Sequence, residues 1–284
     1  MSSTFWGLIK LCRPKQWIKN LFVLAPLLFS GLFTNLNNVV QAFTAMLLFC
    51  IASSATYILN DLKDIEKDRL HSIKSKTRPL ASGILSIRKA KILMAVLYAF
   101  LTLAAFFVPI VIAIIMSYML LNFFYSNYLK HQPLLDIFTI AIGFVLRVYA
   151  GAIAINVTVS SWMFITTLCL ALYLASIKRR QELTSHGSTT RKVLEGYSLY
   201  LLNRYAEMSA IGALLFYSIF VMLERPKLVI TIPLVIFGMF RYWYIIDIHN
   251  KGESPTDAIL SDKQILFTGI LWIIACIYGL LFTK

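Results

Sequence analysis

Apolar stretches long enough to cross a lipid bilayer recur along this chain, at 17–33, 39–60, 89–107, 109–127, 135–155, 161–177, 207–223, 228–246 and 265–282. A spanning helix needs roughly 20 mostly apolar residues at about 1.5 Å rise each. In hydrocarbon only a helix or a closed barrel satisfies its own backbone. The expected fold is therefore an all-α integral membrane bundle of nine transmembrane helices, one domain over 1–284. Pro109 stands where two apolar runs meet, and proline breaks a helix interior, so a tight turn is expected there in preference to one kinked helix. A composition of 59% hydrophobic and 14% charged residues excludes a water-soluble core.

The formal charge of +14 raises the question of nucleic acid. The cations sit in the gaps between apolar runs, however, and not along a soluble groove, so no nucleic-acid partner is expected. With the N-terminus inside, Lys and Arg crowd the N-terminal segment and the loops after spans 2, 4, 6 and 8. Only Arg225, Lys227 and Lys284 fall on the other side. By the positive-inside rule the loops 61–88, 178–206 and 247–264 are expected to be cytoplasmic. Of 13 acidic residues, Glu224 alone falls outside. Segment 1–16 is basic and amphipathic and is expected to lie along the inner surface. Cys12, Cys50, Cys169 and Cys276 lack metal or redox spacing, and His71, His131, His186 and His249 lack ligand spacing.

The second span runs into Asn60-Asp61-Leu62-Lys63-Asp64-Ile65-Glu66-Lys67-Asp68. Asp61, Asp64 and Asp68 fall at i, i+3 and i+7, which stacks them on one helical face. Like charges so placed repel, and a bound cation is the natural compensation. Mg²⁺ suits hard oxygen donors and bridges carboxylates to phosphates, so Asn60, Asp61, Asp64 and Asp68 are the candidate metal set and a diphosphate the candidate ligand. A solvated helix end of alternating charge is the plainer alternative, and it is the reading given to Glu66.

Cations follow closely. Lys74, Lys76 and Arg78 precede Pro79, placed either to grip phosphate or to orient the chain in the membrane. The sixth span ends in Lys178-Arg179-Arg180-Gln181-Glu182, where Lys178 and Glu182 form either a helix-stabilising i, i+4 pair or part of a second phosphate-facing element. Arg147 lies within a spanning segment. It should face the bundle interior, toward a phosphate or an acidic partner such as Asp136, unless it snorkels.

With these residues in view, the Asn-Asp-x-x-Asp-x-x-x-Asp pattern closing the second span of a nine-span chain resembles the UbiA superfamily of membrane prenyltransferases. The resemblance covers nearly the whole chain. It implies a lateral lipid cavity and two acidic motifs on the cytoplasmic side that hold Mg²⁺ and a diphosphate. The second motif departs from the Asp-x-x-x-Asp type of the aromatic prenyltransferases, having Lys178-Arg179-Arg180-Gln181-Glu182 instead. With Arg13-Pro14-Lys15-Gln16-Trp17-Ile18-Lys19-Asn20, Tyr125-Ser126-Asn127-Tyr128-Leu129-Lys130 and Gly252-Glu253-Ser254-Pro255, it resembles the decaprenyl-phosphate phosphoribosyltransferase branch.

That branch implies transfer of 5-phosphoribose from phosphoribosyl diphosphate to a polyprenyl phosphate, within cell wall biosynthesis. It implies a multi-pass protein of a bacterial inner membrane with a cytoplasmic site. Asp61, Asp64 and Asp68 would be catalytic through the metal. Lys15, Lys19, Asn60, Lys74, Arg78, Tyr125, Lys130, Arg147, Lys178, Arg179 and Glu182 would contact substrates. Swapping carboxylates for cations suits two phosphorylated substrates. The alternative is transfer of a prenyl group from a prenyl diphosphate to an aromatic or lipid acceptor. A transporter should place charges and broken helices near mid-membrane, whereas here they gather at inner helix ends. Homo-oligomerisation is left open, since apolar surfaces facing lipid and facing another subunit read alike.

Overall fold

The computed structural model describes residues 3–70, 74–186, 192–249 and 255–281, and every regular element among them is helical. The chain begins with α1 (Ser3–Leu11), a 3-10 helix Pro14–Leu24 and α2 (Ala25–Ser30). Then follow α3 (Leu36–Lys63), α4 (Ile65–Leu70), α5 (Lys74–Thr77), α6 (Ile87–Ala105), α7 (Pro109–Asn127) and α8 (Leu135–Ala154). The second half holds α9 (Ser161–His186), α10 (Leu199–Glu224), α11 (Ile232–His249), α12 (Pro255–Ser261) and α13 (Lys263–Leu281).

Seven of the described helices are long and apolar enough to cross a membrane: α3, α7, α8, α9, α10, α13 and the run Pro226–Ile248 that includes α11. The turn expected at Pro109 is present, with α6 ending at Ala105 and Pro109 opening α7. Proline there costs no hydrogen bond, because the first N–H groups of a helix have no intrahelical partner. The stretch 89–107 falls mostly on α6, which ends at Ala105 and whose first turns carry exposed Arg88, Lys89 and Lys91.

The stretch 17–33 is not one α-helix. It is a 3-10 helix of 11 residues joined to α2 of 6 residues, which stops at Gly31 with φ of 77°. Pro26 stands at the start of α2 and the left-handed Gly31 ends it, so the apolar pattern passes over two backbone breaks. Hydropathy also set the inner ends too short. Within the segments read as loops, α3 and α4 carry residues 61–70, α9 runs on past Lys178 to His186, α10 begins at Leu199, and α12 occupies Pro255–Ser261. Charged residues continue these helices beyond the apolar zone.

Caps fix the starts. Asn35 accepts from the backbone N–H of Asn37 at 2.9 Å, Ser86 from Lys89 at 3.4 Å and Ser198 from Leu201 at 3.1 Å. Small residues let spans approach. Ala45 and Ala52 on α3 pack with Ala150 on α8 around Phe49, Ile115 and Tyr118. A second core joins Tyr173 and Ile177 of α9 to Ala206 and Ala210 of α10 and to Ile245 and Ile246 of α11. The 3-10 helix lies against α8, where a Cβ on Gly151 would stand 1.8 Å from the Val23 carbonyl oxygen. Large apolar side chains such as Phe106, Phe107, Ile110, Met208 and Ile270 are turned outward, as a lipid-facing surface requires.

Candidate active site

The C-terminal ends of α3, α7 and α9 and the N-terminal end of α8 meet at one end of the bundle. Asn60 Oδ1 accepts from the Ser126 hydroxyl at 3.0 Å, and Lys63 donates to Asn127 Oδ1 at 3.1 Å, joining α3 to α7. The acidic face forms in part. Asp61 and Asp68, both buried, are drawn together by Arg78, which donates to Asp61 at 2.7 Å and to Asp68. Arg13 donates to Asp61 from the other side and lies over the Tyr57 ring. Its φ of 53° is left-handed, uncommon outside glycine, and turns the chain from α1 into the 3-10 helix at the point where the guanidinium meets Asp61. Asp64 is half-buried at the junction of α3 and α4. Among the described residues no three acidic, His or Cys side chains are gathered closely enough to enclose a metal ion.

The cationic half divides in two. Arg179 is fully buried. It donates to Asp136, to Glu182 Oε2 at 2.7 Å and to the Tyr125 hydroxyl at 2.9 Å. The Tyr197 hydroxyl donates to Asp136 Oδ1 at 2.6 Å and accepts from the Leu134 N–H at 2.7 Å. Burial, reinforced by Asp136, holds the Tyr197 phenol above its ordinary range, so it remains a donor. Asp136 is thus the partner of Arg179 and not, as the sequence suggested, of Arg147. Arg180 points elsewhere, to Asp247.

Arg147 is buried beside a cavity of about 320 Å³. Its Nε donates to Asn20 Oδ1 at 2.8 Å, Nη1 to the Gly143 carbonyl at 2.7 Å and Nη2 to the Tyr118 hydroxyl at 3.1 Å. The rings of Phe49, Tyr118 and Phe144 surround it at 4.7 to 5.1 Å. Asn20 is itself buried, donating to Cys50 and Ser53 at 3.2 Å each. The same cavity is lined by Lys19, Tyr57, Tyr125 and Lys178, with Ile18, Phe22, Ile140, Leu174 and Ile259 among its apolar walls.

Of the candidate residues, the structure brings Lys19, Tyr125, Arg147 and Lys178 to one cavity, and Asp61, Asp68 and Arg78 to one cluster. Lys178 is also 3.9 Å from Glu182. Lys15 is exposed and Lys130 half-buried, and neither lines the cavity. The side chain of Lys74, the stretch Gly252–Ser254 and Lys284 lie outside the described residues, as do the side chains of His71, His186 and His249. Sequence alone gives no role to Arg13 and Asn20, although both stand in the N-terminal motif, and Tyr118, in the apolar middle of α7, carries no signal.

The UbiA prenyltransferase family model matches residues 22–261, most of the chain. The chain belongs to the UbiA prenyltransferase family. It is 31% identical to the decaprenyl-phosphate phosphoribosyltransferase of Corynebacterium glutamicum, over 94% of this chain and 84% of that one. It is 32% identical to the enzyme of the same name from Mycolicibacterium smegmatis, over 94% and 90%. In fold it is similar to a UbiA homolog from Archaeoglobus fulgidus bound to DMAPP and Mg²⁺, with a TM-score of 0.71 and 21% identity, over 98% of this chain and 100% of that one. The chain is a multi-pass membrane protein of this all-helical family.

Proposed function

We propose that this protein is a polyprenyl-phosphate phosphoribosyltransferase, moving 5-phosphoribose from phosphoribosyl diphosphate to a polyprenyl phosphate with release of diphosphate. The observation that carries the reading is the cation-lined cavity beside the acidic end of α3, with Arg147, Lys19 and Lys178 on its wall and no carboxylate among the described residues that line it. An acceptor without a phosphate would not call for it. The relatives that bear this activity in their names, about 30% identical over 94% of the chain, support it.

The donors at the end of α3 suit a divalent metal that keeps several waters: Asp61 and Asp68, which converge on Arg78, would offer hard carboxylate oxygens, with Asp64 and the Asn60 amide oxygen as further donors. Arg13 and Arg78 satisfy the acids in the meantime, so loading would release these guanidiniums toward the diphosphate. Mg²⁺ bound there would neutralise charge on the leaving diphosphate. The bond from ribose C1 to the diphosphate oxygen breaks with its electron pair on that oxygen. An ionised phosphate oxygen of the lipid forms the new bond to C1 from the opposite face, with inversion. Because that oxygen is already ionised, the protein's task is positioning and charge stabilisation, not proton abstraction.

We further read the chain as crossing the membrane nine times, with the site on the cytoplasmic face of a bacterial inner membrane. The 3-10 helix and α2 together cover about 31 Å at their respective rises, enough for hydrocarbon about 30 Å thick. A second reading, prenyl transfer from a prenyl diphosphate, is favoured by the neighbour bound to DMAPP.

The two readings separate in one assay, in which purified protein is given labelled phosphoribosyl diphosphate and a polyprenyl phosphate. Labelled lipid should form only with Mg²⁺ and vanish with EDTA. Label entering lipid only from a prenyl diphosphate would favour the second reading. Asp64→Asn should lower magnesium-dependent turnover by about 100-fold, the scale on which electrostatic stabilisation acts; intact turnover would refute the metal assignment.

A further inference from the structure

Arg147 is a cation in the wrong place unless something answers its charge. Only 4% of it is exposed, it sits within a spanning helix, and among the described residues it meets no carboxylate. Its partners are an amide oxygen, a backbone carbonyl and a phenol, which engage three of the five N–H donors that a guanidinium carries. Three aromatic rings offset part of the desolvation, but a buried charge without a counter-charge remains costly. The other buried arginine among the described residues, Arg179, is paired with Asp136 and Glu182. The cavity beside Arg147 has two more cations on its wall, Lys19 and Lys178, and no acid among the described residues that line it. Asp257 acts on Lys19 electrostatically from outside the lining.

The walls also select among anions. Ile18, Phe22, Ile140 and Leu174 line the same space, so the ligand joins a charged head to an apolar body. A volume of about 320 Å³ takes a head and its first carbons, not a long chain. The acidic cluster of Asp61 and Asp68 lies outside this lining, which separates a region suited to metal and diphosphate from one suited to a bare phosphate.

We propose that this cavity seats the acceptor's phosphate, a phosphate monoester on an isoprenoid chain, gripped by Arg147 with Lys19 and Lys178 and kept apart from the donor's diphosphate. The proposal rests on the phosphoribosyl-transfer reading. It makes Asn20 a positioning residue, since Asn20 aims the Arg147 guanidinium while leaving its charge free. The donor also carries a phosphate monoester, at its 5-position, so the test must separate the two sources.

Asn20→Asp supplies that test. It is isosteric and keeps the acceptor for Arg147 Nε, yet sets a negative charge about 2.8 Å from the guanidinium and so competes with any anionic ligand. Lys178→Gln, at the half-exposed cavity wall, is the second variant in case the buried site folds poorly. Farnesyl phosphate, farnesol and phosphoribosyl diphosphate with Mg²⁺ are titrated by calorimetry against the full chain in detergent. Wild type should bind farnesyl phosphate without metal and should not bind farnesol. Each variant should weaken farnesyl phosphate about tenfold or more, the loss of one charge-assisted contact, with phosphoribosyl diphosphate changed less than about twofold.

Weakening of phosphoribosyl diphosphate alone would give the cavity to the donor's 5-phosphate, and equal weakening of both would remove the separation; either overturns the proposal. No change in either would mean that the cavity is not an anion site. If wild type transfers no phosphoribose but farnesyl phosphate binding still responds to both variants, the phosphoribosyl reading fails while the phosphate site stands.

Discussion

At the residue scale, neighbouring cations at the end of α9 do different work. Lys178 faces the cavity, Arg179 is locked inside, and Arg180 pairs with Asp247. The sequence placed all three in one motif, and helical periodicity alone could not sort them, because the sorting depends on Asp136 and Tyr125 from other helices. The acidic motif was more legible: Asp61 at the end of α3 and Asp68 on α4 do come together, bridged by Arg78. Their guanidinium partners were not, because Arg13 is 48 residues away from Asp61 and joins it only through the fold. The buried Asp136–Arg179 pair gives a stability prediction. Asp136→Ala leaves Arg179 with one carboxylate and Tyr197 without its acceptor, and should cost about 3–5 kcal/mol, the usual result of orphaning a buried ion. Thermal unfolding in detergent should show a lower midpoint, whereas Tyr197→Phe, which removes the hydrogen bond to Asp136 and the acceptor of the Leu134 N–H, should cost about 1–3 kcal/mol.

At the element scale, hydropathy located the apolar centres of the spans well because burial in lipid and burial in the bundle demand the same residues. It could not see the 3-10 helix Pro14–Leu24, whose identity depends on Pro14, the left-handed Arg13 and the break at Pro26. That segment delivers Lys19 and Asn20 to the site, and it can do so because Gly151 lets it press against α8. A methyl group there would stand 1.8 Å from the Val23 carbonyl oxygen, which a backbone cannot yield without moving. Gly151→Ala should therefore destabilise the fold by about 1–3 kcal/mol, as overpacking does. Transfer activity should fall by more than stability implies, because Asn20 would no longer aim Arg147. Gly238→Ala is the control: its Cβ meets only Thr268 Cγ2 at 4.0 Å, and a helix gains from the exchange, so midpoint and turnover should hold or rise. Equal activity loss in both variants would separate the site from the packing of this segment.

At the scale of the whole molecule, the antiparallel run of the spans carries the ends of α3, α7 and α9 and the start of α8 to one side. The hydrogen bonds of Asn60 with Ser126 and of Arg179 with Tyr125 and Asp136 join them there. Pro226 and Lys227, which follow α10, are exposed beyond the opposite end of that helix from Ser198 and the site. We read a direction from charge, since cations cluster on the site's side while Arg225 and Lys227 stand at the far end of α10. Both candidate substrates are anions, and a bundle end dense in Lys and Arg draws them in as well as orienting the chain. The orientation is testable with the four native cysteines changed to serine or alanine. Lys227→Cys, exposed, should react with a membrane-impermeant maleimide added to intact cells. Lys67→Cys, exposed on α4 beside the acidic cluster, should react only after the membrane is opened. The reverse pattern would place the site outside and would require phosphoribosyl diphosphate to act beyond the membrane. Labelling of both from one side would mean that the spans between them do not cross an odd number of times, which would undo the topology on which the inward direction rests.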